Sequence, residues 1–179
     1  AALVAIPVAL TALLAAESNR PAIDYIGAGR GSLHPALLLT LLFPQLFGAA
    51  GRMEDYWGPP SFAWNDTGIY IAQNMGQIYI GIIPLALIGI AALRGVLCAR
   101  EIRYWVETLP LMLLDALGWY TPVFRVMFEL LPGVNFYRRP ADAAFLINMC
   151  LAVLAGYAAH RLFAEPWRGI AREHAALLS

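Results

Sequence analysis

The sequence contains no lysine: all twelve of its basic residues are arginine, twelve acids balance them, and the net charge is zero. Without a basic excess there is no electrostatic footprint for nucleic acid, so no nucleic-acid partner is expected. Charge of either sign is scarce at 13 % of residues, against about 25 % in soluble domains. That shortage excludes an ordinary soluble domain. Cysteine is nearly absent too. Cys98 falls at a helix end and Cys150 inside an apolar run. The pair is not expected to form a disulfide, has no metal-ligand spacing, and reads as two buried small residues. Internal repeats and low-complexity segments are missing as well.

What the chain has instead is long apolar runs, with 60 % hydrophobic residues and a mean hydropathy of +0.63. Residues 69–93 hold no formal charge across 25 positions. As one helix they would measure about 37 Å, enough to cross a hydrocarbon core of about 30 Å. Residues 141–163 make a second such run, and 105–124 a third that contains two acids. A further run at 1–16 lacks the basic flank of a signal peptide, so it reads as a truncated transmembrane helix, with more sequence expected beyond both ends. The fold class is therefore all-α: a polytopic transmembrane bundle of about four spans at 1–16, 69–93, 105–124 and 141–163. Residues 33–50 hold a shorter apolar core interrupted by Pro44, and are expected to be re-entrant or interfacial.

Loop charges set the orientation. Residues 93–104 carry Arg94, Arg100 and Arg103 against Glu101, and residues 160–173 carry Arg161, Arg168 and Arg172 against Glu165 and Glu173. Residues 17–66 carry five acids (Glu17, Asp24, Glu54, Asp55, Asp66) against Arg20, Arg30 and Arg52. The positive-inside rule places the first two regions in the cytoplasm and the third outside, in the inner (plasma) membrane. Tyr56, Trp57, Phe62 and Trp64 suit the headgroup layer of the outer loop.

Few residues point to chemistry. Asp115 sits mid-span, with Glu107 eight residues earlier and about 80° around the same helix. An acid within the membrane is costly and is expected to face the bundle interior. Asp115 is thus the candidate for catalysis or transport, with a structural hydrogen bond as the alternative, whereas Glu107 lies close enough to the cytoplasmic end to reach water. Arg138 and Arg139 stand together in the outer loop before Pro140, where the charge bias does not favour them. An arginine pair at headgroup height suits a lipid-linked phosphate, and snorkelling to ordinary anionic headgroups is the competing reading. Glu54, Asp55 and Asp66 could serve as base or hold a divalent cation, although loop acids are more often simply solvated. Asn65-Asp66-Thr67 fits the short glycosylation pattern. His34, next to Pro35, reads as the cap of the re-entrant segment, and His160 with Arg161 as a cytoplasmic helix end.

Several stretches resemble bacterial YfhO-type membrane proteins. These are Pro35-x-x-Leu-Leu-Thr-Leu-Leu-Phe-Pro44-x-Leu-Phe-Gly48, Tyr56-Trp57-Gly58, Tyr79-Ile-Gly81-Ile-Ile-Pro84-Leu, Ala116-Leu-Gly118-x-Tyr-Thr-Pro122, Leu131-Pro132-Gly133 and Phe136-Tyr-Arg138-Arg-Pro140. That family is related to the GT-C class of glycosyltransferases, and the similarity runs over about residues 32–162 in motif order and spacing. The resemblance implies transfer of a sugar from a polyprenyl-phosphate donor to an acceptor at the outer membrane face. It also implies a catalytic acid upstream of this sequence and phosphate-binding roles for Arg138 and Arg139. The chain departs from the family pattern after the proline, where Ala141-Asp142 stands in place of a common arginine. The alternative is a non-enzymatic polytopic protein, either a transporter or a lipid or polymer export component. Membrane lipids and the lipid-linked sugar donor are the expected partners, and no metal is expected.

Overall fold

The computed structural model describes residues 5–7, 9–10, 13–14, 24–48, 55–61, 63–70, 76–131, 134 and 139–163. Among the described residues every regular element is helical. Five α-helices are α1 (Tyr25–Gly29), α2 (Ile82–Leu93), α3 (Arg103–Ala116), α4 (Pro122–Leu130) and α5 (Ala144–Phe163). Within the first apolar run, the described residues 5–7, 9–10 and 13–14 are helical.

Helix α5 is the central element. With the 3-10 turn Pro140–Ala143 before it, it forms a 24-residue apolar helix of mean hydropathy 1.6, long and apolar enough to cross a membrane. This agrees with the expected span at 141–163. Its buried face carries small residues at helical spacing, among them Ala144, Cys150, Ala155 and Ala158. Small side chains let neighbouring helices approach closely where lipid removes most of the hydrophobic drive. Helices α2 and α3 both pack on it. Ala91 and Val96 at the end of α2 meet Ala158 near the end of α5, so these two helices run in the same direction. The end of α3 packs against Pro140–Ala143 at the start of α5, so α3 runs the opposite way.

Two expected spans are shorter than their apolar runs. Residues 69–93 do not form one helix: the α-helix begins only at Ile82, and its twelve residues measure about 18 Å. The reason is local. Pro84 excludes a helical carbonyl at Ile80, and Gly81 turns the chain at φ 105°, a conformation that L side chains rarely adopt. Residues 77–80 are irregular backbone, tied instead to the 3-10 helix Pro35–Leu41. Ile78 N–H donates to Thr40 Oγ1 at 3.4 Å, and the Thr40 hydroxyl lies within hydrogen-bonding distance of the Leu37 and Gly76 carbonyls.

The run at 105–124 is likewise broken. α3 ends at Ala116, Gly118 takes φ 53°, and Pro122 opens α4. Thr121 Oγ1 donates back to Leu114 O at 2.8 Å, satisfying a carbonyl freed by the break. α4 lies where an outer loop was expected and is amphipathic: Phe124 is buried, while Arg125 and Glu129 are exposed and paired at 3.0 Å. Within residues 33–48 the 3-10 helix has seven residues and is followed by turns at 44–47.

The reading of both cysteines as buried holds for Cys150 alone. Cys98 is exposed beside α2, and both are free thiols.

Candidate functional site

The charged residues gather at two ends of the bundle. At one end lie Arg94, Arg100, Glu101 and Arg103, joined by His160 and Arg161 from the end of α5. Tyr157 donates to Glu101 Oε1 at 2.6 Å, and Arg161 approaches the same carboxylate at 4.0 Å. Arg103 pairs with Glu107 at 2.6 Å, with both side chains well exposed. The two arginine-bearing segments, distant in sequence, thus share one end of the molecule.

The opposite end is built from four segments: residues 24–34, 55–70, 117–122 and 139–143. Ser32 is the knot between them. Its side chain is fully buried, its hydroxyl donates to Gly29 O at 2.5 Å, and it accepts from Trp119 N–H at 3.1 Å. Leu33 N–H donates to Ala116 O at 2.8 Å, and Ala141 N–H donates to Gly31 O at 2.9 Å. Tyr70 N–H donates to Arg30 O at 2.5 Å. The Trp119 ring lies against Gly29 and Gly68, where a Cβ would come within 2.7 and 3.3 Å of it. Buried irregular backbone must find hydrogen-bond partners within the protein, and these bonds supply them.

Aromatic rings cover this end. His34 is the N-cap of the 3-10 helix, as its position beside Pro35 suggested: Nδ1 accepts from Ala36 N–H at 3.1 Å. Burial lowers its pKa, which favours the neutral ring, the form whose Nδ1 can accept this bond. Trp64 and Tyr120 meet the ring edge-to-face at 5.0 and 5.3 Å. Phe47 bridges Trp64 to Trp57, and Trp64 Nε1 donates to Trp57 O at 2.9 Å. Tyr56 is buried beneath them, donating to Pro59 O at 3.0 Å, and burial pushes its phenol pKa up to about 12.

The sequence candidates fall as follows. Arg139 is exposed at this end, two residues before the Ala141 strap, with Asp142 exposed beside it. Arg138 and Glu54 lie outside the described residues. Asp66 accepts from Gly68 N–H at 2.9 Å and so shapes a turn, and among the described residues no group of three metal-ligating side chains occurs. Asp115 is half-buried at the margin of the α3 core face, about 100° from buried Ala116. Among the described residues its carboxylate makes no hydrogen bond or ion pair. It is not brought to the arginine of the outer loop by any bond; it stands one turn before the Gly118 break.

One residue of this end carried no signal beyond its charge. Arg30 is exposed, with its guanidinium 5.6 Å from the Tyr70 ring centre. The flanking Gly29 and Gly31 are the only local hint of a close-packed turn. Compared with protein-family models, characterised proteins and solved structures, the chain matches none.

Proposed function

We propose that this chain belongs to a multi-pass membrane protein of the inner membrane. In this reading it holds a polyprenyl-phosphate-linked sugar at its extracytoplasmic face and serves transfer of that sugar to an acceptor. The observation that carries the reading is the hydrogen bond from Ala141 N–H to Gly31 O, which fixes the segment after Arg139 to the closed, aromatic-covered end. That end lies opposite the arginine-bearing loops, and the positive-inside rule, which favours a cytoplasmic side for those loops, supports reading it as the outer end.

The chemistry asks for such an arrangement. As the sugar departs, negative charge grows on the phosphate left behind. Guanidinium groups aimed at that phosphate stabilise the transition state more than the ground state. An arginine fixed by its backbone does this without reorganising at the moment of reaction. Trp57 and Tyr120, both partly exposed, sit on the same end at the height where amphipathic rings favour the interface.

The test uses the full-length protein in membranes supplied with a polyprenyl-phosphate-linked sugar. Arg138→Ala and Arg139→Ala should each lower transfer by about 10²-fold or more, the scale of losing one oxyanion donor. Lysine at either position should restore only part, because a point charge replaces a bidentate fork. Wild-type transfer by both alanine variants would return the pair to ordinary headgroup snorkelling.

A further inference from the structure

Of the seven arginines among the described residues five are engaged, and Arg100 is exposed at the other end. Arg103, Arg125 and Arg161 face Glu107, Glu129 and Glu101. Arg94 and Arg139 have interactions of their own. Arg30 differs. Among the described residues its guanidinium makes no hydrogen bond and no ion pair, and its one contact is the face of Tyr70. Stacking on a ring leaves the five in-plane N–H donors unspent while limiting where the group can go.

Its backbone is held on both sides. Arg30 O accepts from Tyr70 N–H, Arg30 N–H donates to Ile26 O, and the adjacent Gly31 O accepts from Ala141 N–H. The last bond brings the Arg30 segment beside the segment that carries Arg139. Tyr70 itself is 74 % exposed, so the stacked pair lies open at the surface of this end. Two acids of this end are turned to backbone instead: Asp24 accepts from Gly27 N–H and Asp66 from Gly68 N–H. A guanidinium whose backbone is held, which lies over a ring and keeps its donors open among the described residues, suits a planar or tetrahedral oxyanion.

We infer that Arg30, stacked on Tyr70, is a binding residue for the phosphate of a membrane-resident lipid, acting beside the Arg139 segment. This rests on the reading of that end as the lipid-phosphate site. The chemistry recognised is a lipid-borne phosphate, which a polyprenyl carrier and a phospholipid headgroup both possess.

The experiment measures equilibrium binding of radiolabelled polyprenyl monophosphate to the full-length protein in phosphatidylcholine nanodiscs. A parallel arm uses phosphatidylglycerol as competitor. Arg30→Ala should weaken carrier binding about ten- to hundredfold, the scale of a charge-assisted hydrogen bond. Arg30→Lys should fall between. Tyr70→Ala should reproduce part of the loss and Tyr70→Phe none, since only the ring face is used. Arg100→Ala, at the other end, should bind as wild type. Unchanged carrier binding by Arg30→Ala overturns the assignment of Arg30 while leaving the function reading intact. Equal displacement by phosphatidylglycerol, with both lipids lost in Arg30→Ala, keeps Arg30 as a phosphate site and removes the carrier-specific reading. Wild-type protein that retains neither lipid overturns both.

Discussion

Gly118→Ala should be strongly destabilising. Gly118 sits at φ 53°, and a Cβ there would collide with Ser32 Oγ, and would lie 2.7 Å from Ser32 Cβ and 3.2 Å from Pro140 Cγ. Three costs combine. The left-handed backbone costs an alanine about 1 kcal/mol. Overpacking a closed site costs about 1–3 kcal/mol. Displacing the Ser32 hydroxyl forfeits its bonds to Gly29 O and from Trp119 N–H, at about 1 kcal/mol each. Together these come to about 4–6 kcal/mol, or about 8–24 °C of Tm for a chain of this length. The assay is thermal unfolding in detergent micelles followed by circular dichroism. Gly89→Ala is the internal control, since nothing lies within 4 Å of its Cβ position and α2 is helical there. It should raise stability by about 0.5–1 kcal/mol. In a Ser32→Ala background the Gly118→Ala penalty should shrink, because the nearest atom is gone. A Gly118→Ala protein melting within about 2 °C of wild type would refute the account of this junction.

Two further outcomes are expected. Cysteine introduced at Asn65 should be labelled from outside in intact cells and cysteine at Gly95 should not; the reverse pattern would invert the orientation. Tyr56, with its pKa raised to about 12 by burial, should remain protonated in an ultraviolet titration at a pH where a free tyrosine side chain has ionised. The unfolded chain then loses its proton first, so stability present below pH 10 declines as pH rises toward 12, and Tyr56→Phe should flatten that decline. An absorbance change that places every tyrosine near pH 10 would remove the buried phenol from the argument.

How much of this was legible beforehand differs from element to element. The long helix at 141–163 was readable because its apolar run is interrupted by no proline and no formal charge between Asp142 and Arg161. The run at 69–93 was misleading because hydropathy counts side chains, whereas its ends are set by backbone: Gly81 and Pro84 decide where α2 can begin. α4 was written in the residues and passed over. Phe124 with Phe128 and Arg125 with Glu129, each four apart, describe an amphipathic helix starting at Pro122. At the candidate site, Arg139 could be found from its place beside Pro140. Arg30 could not, because what distinguishes it is a ring forty residues away and a strap from the other half of the chain. Ser32 gave no sign at all; a serine becomes a keystone only once three segments close around it.

That keystone also has a timetable. Ser32 and its donor Trp119 stand 87 residues apart, and at about 5–20 residues per second translation separates them by about 4–17 s. Through that interval the turn at 29–34 has been made, and neither the Ala116 carbonyl nor the Trp119 amide yet exists to close it. This turn is therefore made early and completed late. A ribosome stalled before residue 116 would leave the Leu33 amide facing water. The junction closes in the order of synthesis: Tyr70 reaches Arg30 O first, Ala116 and Trp119 reach Leu33 and Ser32 next, and Ala141 reaches Gly31 O after them.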